Sequence, residues 1–207
     1  MSPLEEIKAR SEQEVPGSRV EIVLNPSVPA QSSLLLDNEH AFAIAELLRD
    51  GNDLRFDYAS NVTGVDWPET TIKTKIKKLV DGVEKEVEES TTKPGYLEAV
   101  YHLYSMELKH GPLVIRLRTA NRTDQVRVPS LTPIWRGAEF QEREIFDLYG
   151  IIFDGHPDLR RLLMWDGFLD HPMRKDYVEP DDYEYEPTPH DEVFDKARAH
   201  QAREATA

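Results

Sequence analysis

The sequence predicts an α+β fold: a mostly antiparallel β-sheet flanked by helices, followed by a long extended C-terminal tail. Three observations carry that expectation. Short runs of alternating apolar and polar residues recur between turn residues, as in "LVIRLRT" at 113–119. Two segments, near 38–49 and 132–149, instead place apolar residues at helical spacing. Residues 176–195 hold nine Asp or Glu, three prolines and no Lys or Arg, with no periodic apolar face, which suits an extended segment.

The elements follow in order. "MSPLEEIKAR" reads as a short helix, with Ser2 and Glu5 as a capping box and Pro3 in the first helical position. Residues Val20 to Leu24 alternate as a short strand does, and "SLLLD" adds a second apolar run ending at Asp37, an N-cap residue. Ala41, Ile44, Ala45 and Leu48 define a helix over 38–49, and Gly51 sits where a C-terminal cap belongs. The next stretch, "LRFDYASNVTGVDWP", is extended in character, with Leu54, Phe56 and Tyr58 expected on one face.

Residues 70–93 read as a charged hairpin insertion turning at Asp81–Gly82. Pairing about that turn sets Val80 opposite Val83, Ile76 opposite Val87, Lys77 opposite Glu86 and Lys75 opposite Glu88, although Lys78 then meets Lys85. A helical excursion is the rival reading, and it would need Gly82 in a helix interior. Three strands are expected next in meander order: 96–106, 113–119 with Leu113, Ile115 and Leu117 inward and Val114, Arg116 and Arg118 outward, and "QVRVPS". Thr132 and Pro133 then suit a helix start, with Ile134, Ala138, Ile145 and Leu148 as a core stripe ending at Gly150. Residues 1–170 thus read as a globular α+β domain, and 171–207 as an acidic tail that orders on a partner surface. Its Tyr177, Tyr183, Tyr185 and Phe194 exceed what solubility requires.

Composition narrows function. The chain has no cysteine, which excludes disulfides, a thiol nucleophile and cysteine-ligated iron–sulfur clusters. Its formal charge of −14 argues against autonomous binding to nucleic acid or anionic lipid and favours a protein partner. No apolar run of 18 residues occurs, and the N-terminus lacks a signal-peptide core, so an intracellular location is expected.

The densest chemistry lies in "EREIFDLYGIIFDGHPDLRRLL", residues 142–163, which holds five acids, three arginines and a histidine. Arg136, Glu139, Arg143 and Asp147 share one helix stripe, for which a ladder of surface ion pairs is the plain reading. Glu144 shares a side with Leu148, toward apolar neighbours, where a carboxylate needs a cation or a backbone donor. Downstream, "HPDLRR" (156–161) and "HPMRK" (171–175) each hold a histidine extended before a proline, with cations close behind. His156 and His171 with Asp154, Asp158, Asp166 or Asp170 could ligate a divalent metal, although the flanking cations oppose it. Glu142 and Glu144 point to different sides of a helix and make a poor acid–base pair. No dinucleotide fingerprint, P-loop or nucleophile elbow is present.

The same stretch resembles the signature of the C subunit of the proton-pumping NADH–quinone oxidoreductase, respiratory complex I. That pattern is filled by Glu142, Arg143, Glu144, Asp147, Leu148, Tyr149, His156, Arg160, Leu162 and Leu163, and "DHPMRKDY" at 170–177 resembles a second family hallmark. The resemblance covers roughly 50–66 and 96–190; the hairpin at 70–93 and the first 30 or so residues depart from it. It implies a redox-silent member of the peripheral arm on the cytoplasmic side of the membrane, packed against the D subunit. The D and B subunits together form the quinone pocket, and FMN and iron–sulfur clusters reside in partner subunits. The enzyme is then the complex, and the isolated chain is not expected to be catalytic. By the same resemblance, Glu142, Arg143, Glu144 and Asp147 fix the helix against the following loop and the partner, with Arg160 and Arg161 as counter-charges. His156 and His171 set the exit path of the chain, and Arg174 and Lys175 anchor the tail. An equivalent scaffold in a membrane-bound hydrogenase or another quinone reductase, and an independent metal-dependent hydrolase, are the alternatives.

Overall fold

The computed structural model describes residues 3–25, 27–28, 31–80, 83–165 and 167–178, with the backbone alone for strand residues 73–80 and 83–89. The capping residue Ser2, the turn Asp81–Gly82, the metal candidate Asp166 and the acidic stretch beyond Val178 lie outside the described residues.

The chain opens with helix α1 (Pro3–Glu14), then strands β1 (Val20–Val23) and β2 (Ser33–Leu36), and helix α2 (Ala41–Asp50). Strands β3 (Tyr58–Trp67), β4 (Thr70–Val80), β5 (Val83–Lys93), β6 (Tyr96–Ser105) and β7 (His110–Arg118) follow. Strand β8 (Arg127–Pro129), a 3₁₀ turn at Arg136–Ala138, helix α3 (Glu139–Tyr149) and strand β9 (Ile152–Asp154) complete it. Five strands form one sheet in the order β1-β2-β7-β6-β3. Only β2 and β7 run parallel in it; the other neighbours are antiparallel, as an α+β reading requires.

One face of this sheet carries the core. Leu97, Ala99, Tyr101 and Leu103 of β6 alternate inward beside Leu113, Ile115 and Leu117 of β7 and Leu34 and Leu36 of β2. Ala41, Ile44, Ala45 and Leu48 of α2 join the same cluster and are fully buried. Burying a side chain such as Ile44 or Leu48 contributes about 1.5–3 kcal/mol. The helix nevertheless starts at Ala41 rather than near 38. Residues 38–40 form a turn instead, because the Asp37 carboxylate accepts the backbone N–H groups of Arg19 and His40 and the His40 Nδ1–H.

The β4–β5 hairpin pairs in the register the charges suggest, from Thr70 opposite Lys93 to Val80 opposite Val83, and lies between two strands that are themselves partners. The meander is corrected. Residues 127–129 do not extend the sheet from β7, because β2 already occupies that edge; β8 pairs instead in parallel with β9, Val128 opposite Phe153. Tyr58 does not share a face with Leu54 and Phe56: the backbone turns through a positive φ at Arg55, and Tyr58 emerges exposed. Val114 is buried like its inward neighbours, and Arg116 and Arg118 are half-buried because both reach down to Glu98.

Helix α3 begins at Glu139, six residues after Pro133. Trp135 is extended (φ −124°, ψ 97°) and its indole N–H donates to the Phe56 carbonyl at 2.7 Å, which interrupts any continuous helix. Thr132 therefore caps nothing; its hydroxyl turns toward the helix it was expected to start. Gly150 ends α3 in the left-handed region, with φ 76°.

Candidate functional site

The signature helix buries two carboxylates, and each finds a full set of donors. Glu142 is fully buried. Its Oε1 accepts the Tyr101 hydroxyl at 3.0 Å and the Leu131 N–H at 2.9 Å. Its Oε2 accepts the Ser130 hydroxyl at 2.5 Å and the Thr132 hydroxyl at 3.0 Å. A carboxylate offers about four lone-pair positions, so nothing is left for a substrate or a metal. Burial pushes the Glu142 carboxyl above its usual range, while the donors pull the other way. Burial beside Glu142 also raises the Tyr101 phenol well above normal.

One turn on, Asp147 is equally buried. Its Oδ2 accepts the N–H groups of Leu162, Leu163 and Met164 at 2.7–3.0 Å, and its Oδ1 faces Arg161 Nη1 at 2.7 Å. Burial alone would raise this carboxyl, but three backbone donors and Arg161 outweigh it and hold the group below its usual value. Arg143, only 5% exposed, donates to the carbonyls of Arg160 and Arg161 and sits 3.7 Å from Asp158. The stripe is therefore a latch between helix and loop, not a surface ladder; only Arg136 and Glu139, 3.5 Å apart, pair along the helix.

Arg161 pairs with the helix acid Asp147, and the Arg160 guanidinium donates to Asp158. Glu144 shares a surface groove with Leu148, Tyr149 and Met173, but it is exposed to solvent rather than buried among them. The inward direction of α3 runs through Ala138, Glu142 and Ile145, which leaves Glu144 at the solvent edge of the groove between α3 and β3.

Both His-Pro corners are fastened to backbone. His156 accepts the Asp158 N–H at Nδ1, so Nε2–H donates to the Glu139 carbonyl; with both ring nitrogens engaged it is a poor metal ligand. His171 Nδ1–H donates to the Asp147 carbonyl, and burial keeps its pKa low. Among the described residues no three His, Asp or Glu groups converge as a metal site.

From His171 the chain runs back over the body. The Met173 N–H donates to the Leu148 carbonyl, and the Arg174 guanidinium donates to the carbonyls of Tyr149 and Arg122. The Lys175 backbone N–H reaches Asp66 Oδ2 at 2.7 Å. Arg122 closes the arrangement: it forks onto buried Asp66 at 2.5 and 2.6 Å and onto Asp176 at 2.6 and 2.8 Å. So residues 171–176, assigned to the tail by sequence, are tied to α3, β3 and the β7–β8 loop. Tyr101, Ser130, Thr132, Asp66 and Arg122 were not legible as site residues. The signal for Asp66 was available: it alternates with Val62 and Gly64 on the buried face of β3, where an acid demands a cation.

Gly150 is where helix and returning chain touch. A Cβ there would sit 2.4 Å from His171 Nε2 and 2.9 Å from the Arg174 guanidinium, at a φ that L residues rarely adopt. Gly150→Ala is expected to destabilise the protein by about 2–4 kcal/mol, from the left-handed backbone and the displaced ring together. Urea unfolding measures this, and an unchanged midpoint would refute the packing described.

Several apolar side chains on α3 and on the segments after it face solvent. Phe140, Leu162, Leu163, Leu169, Met173 and Val178 are all exposed, Leu169 and Val178 by more than four-fifths.

A family model described as the 30 Kd subunit of respiratory-chain NADH dehydrogenase matches residues 34–183. The C subunit of NADH-quinone oxidoreductase from Coxiella burnetii (strain RSA 493 / Nine Mile phase I) is 41% identical over 147 residues, 67% of this chain and 63% of that protein. The C/D subunit of NADH-quinone oxidoreductase from Bacteroides fragilis (strain YCH46) is 39% identical over 131 residues, 63% of this chain and 22% of that protein. The chain thus spans less than two thirds of the length of these curated relatives. In fold it is similar to a chain in the structure of the membrane-bound sulfane sulfur reductase, an archaeal respiratory membrane complex. The TM-score there is 0.53 at 22% identity, over 84% of this chain and 85% of that one.

Proposed function

Because the chain belongs to the family of the respiratory-chain NADH dehydrogenase 30 Kd subunit, we propose that it is a redox-silent bracket in an NADH–quinone oxidoreductase, bracing the D subunit. One observation carries this reading. The signature acids Glu142 and Asp147 are saturated by internal donors, so the motif builds a rigid corner and leaves no lone pair for chemistry. A rigid corner with exposed apolar side chains on the segments around it suits an interface, where a few anchors provide most of the binding energy. The occurrence of a relative named as a C/D subunit supports D as the neighbour. On this reading Glu144, Arg160 and these exposed apolar side chains meet the partner. FMN and the iron–sulfur clusters sit in other subunits, and the B subunit completes the quinone chamber. No helix among the described residues is long and apolar enough to cross a membrane, so this chain would reach the cytoplasmic face of the bilayer through its complex.

The test is affinity purification of the tagged chain from its native host, with mass spectrometry of what co-migrates. Co-purification of NADH-oxidising flavoprotein subunits and of the D subunit is the expected result. A nickel–iron catalytic subunit in their place would reassign the bracket to a hydrogenase, and recovery of the chain alone would overturn the reading.

A further inference from the structure

The far end of the sheet, where β3 and β6 flank the root of the hairpin, carries a second surface that the latch does not use. Four side chains form a row there. The Arg118 guanidinium lies 4.1 Å from the centroid of the Tyr96 ring, the Tyr96 and Trp67 rings are 6.2 Å apart, and the Lys175 ammonium is 5.8 Å from the Trp67 ring. Cations thus cap an aromatic pair at both ends.

The row is preorganised from beneath. Glu98, buried on β6, accepts the Trp67 indole N–H at 2.9 Å and the Arg118 Nε and Nη2 groups at 3.0 and 2.9 Å. Arg116 shares the same carboxylate and also donates to Ser33. One buried acid therefore fixes the orientation of an aromatic ring and a cation that both reach the surface: Trp67 is 42% exposed.

The acids of this surface are matched by its cations, unlike those of the chain as a whole. Arg116, Arg118, Arg122, Arg174 and Lys175 stand against Glu21, Asp66, Glu98 and Asp176, in a chain with 39 acids and 25 bases. Arginines already engage Asp66, Glu98 and Asp176. The Lys175 ammonium meets only the Trp67 ring among the described residues, with no carboxylate beside it.

We propose that the row Arg118–Tyr96–Trp67–Lys175 is a docking site for a short acidic segment of a neighbouring protein in the complex. A local segment is favoured over an anionic bilayer by the reach of the field. A segment a few residues long meets the Lys175 ammonium and the cation-capped rings within a Debye length of about 10 Å, whereas a bilayer faces the whole chain at −14. Trp, Tyr and Arg are also the residue types that anchor protein interfaces.

This site rests on the assembly reading above, and the experiment separates the two. The affinity-purified native complex is treated with a zero-length carbodiimide, which joins an amine to a carboxylate only in direct contact, and cross-links are mapped by mass spectrometry. Lys175 is expected to be joined to an Asp or Glu of another polypeptide, and the link is expected to vanish in Lys175→Arg while the complex is recovered normally. Lys175→Glu, which leaves the backbone bond to Asp66 intact, is expected to lower recovery of the complex on the order of fivefold. Lys175 left unlinked, or linked only within its own chain, in an otherwise intact complex would overturn the docking site alone. Recovery of the chain without any partner would overturn the assembly reading and the site with it. Lys175-dependent sedimentation of the purified chain with phosphatidylglycerol vesicles would assign the row to lipid and overturn the proposal.

Discussion

Asp147→Ala is expected to destabilise the protein by about 3–5 kcal/mol, the cost of stripping one partner from a buried, hydrogen-bonded charge pair. The substitution leaves three backbone N–H groups at Leu162, Leu163 and Met164 without an acceptor and Arg161 without its counter-charge. Its effect has a directional pH signature. The fold holds the Asp147 carboxyl below its ordinary pKa, so its contribution is complete above about pH 4 and is lost as pH falls through the folded value. The stability gap between wild type and variant should therefore be widest near neutrality and narrow in acid. Urea titrations at a series of pH values measure it. A gap below about 1 kcal/mol at neutral pH would show that the loop holds its shape without the carboxylate.

Glu142→Gln is expected to cost about 1–3 kcal/mol, and Glu142→Ala more, because alanine also opens a cavity. Glutamine preserves the volume, and the hydroxyls of Tyr101, Ser130 and Thr132 can rotate to accept its amide protons. The Leu131 N–H cannot adapt if the amide nitrogen faces it. The pH dependence here has the opposite sign. Burial raises the Glu142 pKa, so the proton that the fold prefers supplies stability below the usual glutamate value near 4.3. That contribution is lost as pH rises through the folded value. Wild type should lose its advantage over Glu142→Gln across that interval, and a gap constant from about pH 4 to pH 8 would contradict a strained, buried charge.

These two residues mark how far the sequence could be read. Helical periodicity placed α3, and the resemblance marked Glu142, Glu144 and Asp147, but neither said which acid faces inward. Glu144 was expected near apolar neighbours through its spacing to Leu148; the actual inward line passes through Glu142 because its donors arrive from β6 and from the 130–132 loop. Such donors lie 10 to 41 residues away along the chain, beyond the reach of any local pattern. The hairpin register was legible because its turn and cross-strand charges are local. The partner of β8 was not, because the free edge of β7 depends on a strand about 80 residues earlier.

That long-range pairing governs the order of assembly during synthesis. Strand β2 can bond to β7 only after residues 110–118 have emerged, so the segment from β1 through α2 waits without that partner. The hairpin between β3 and β6 lengthens that delay. Ribosome-bound chains that end before β7 are thus expected to be the species most prone to aggregation.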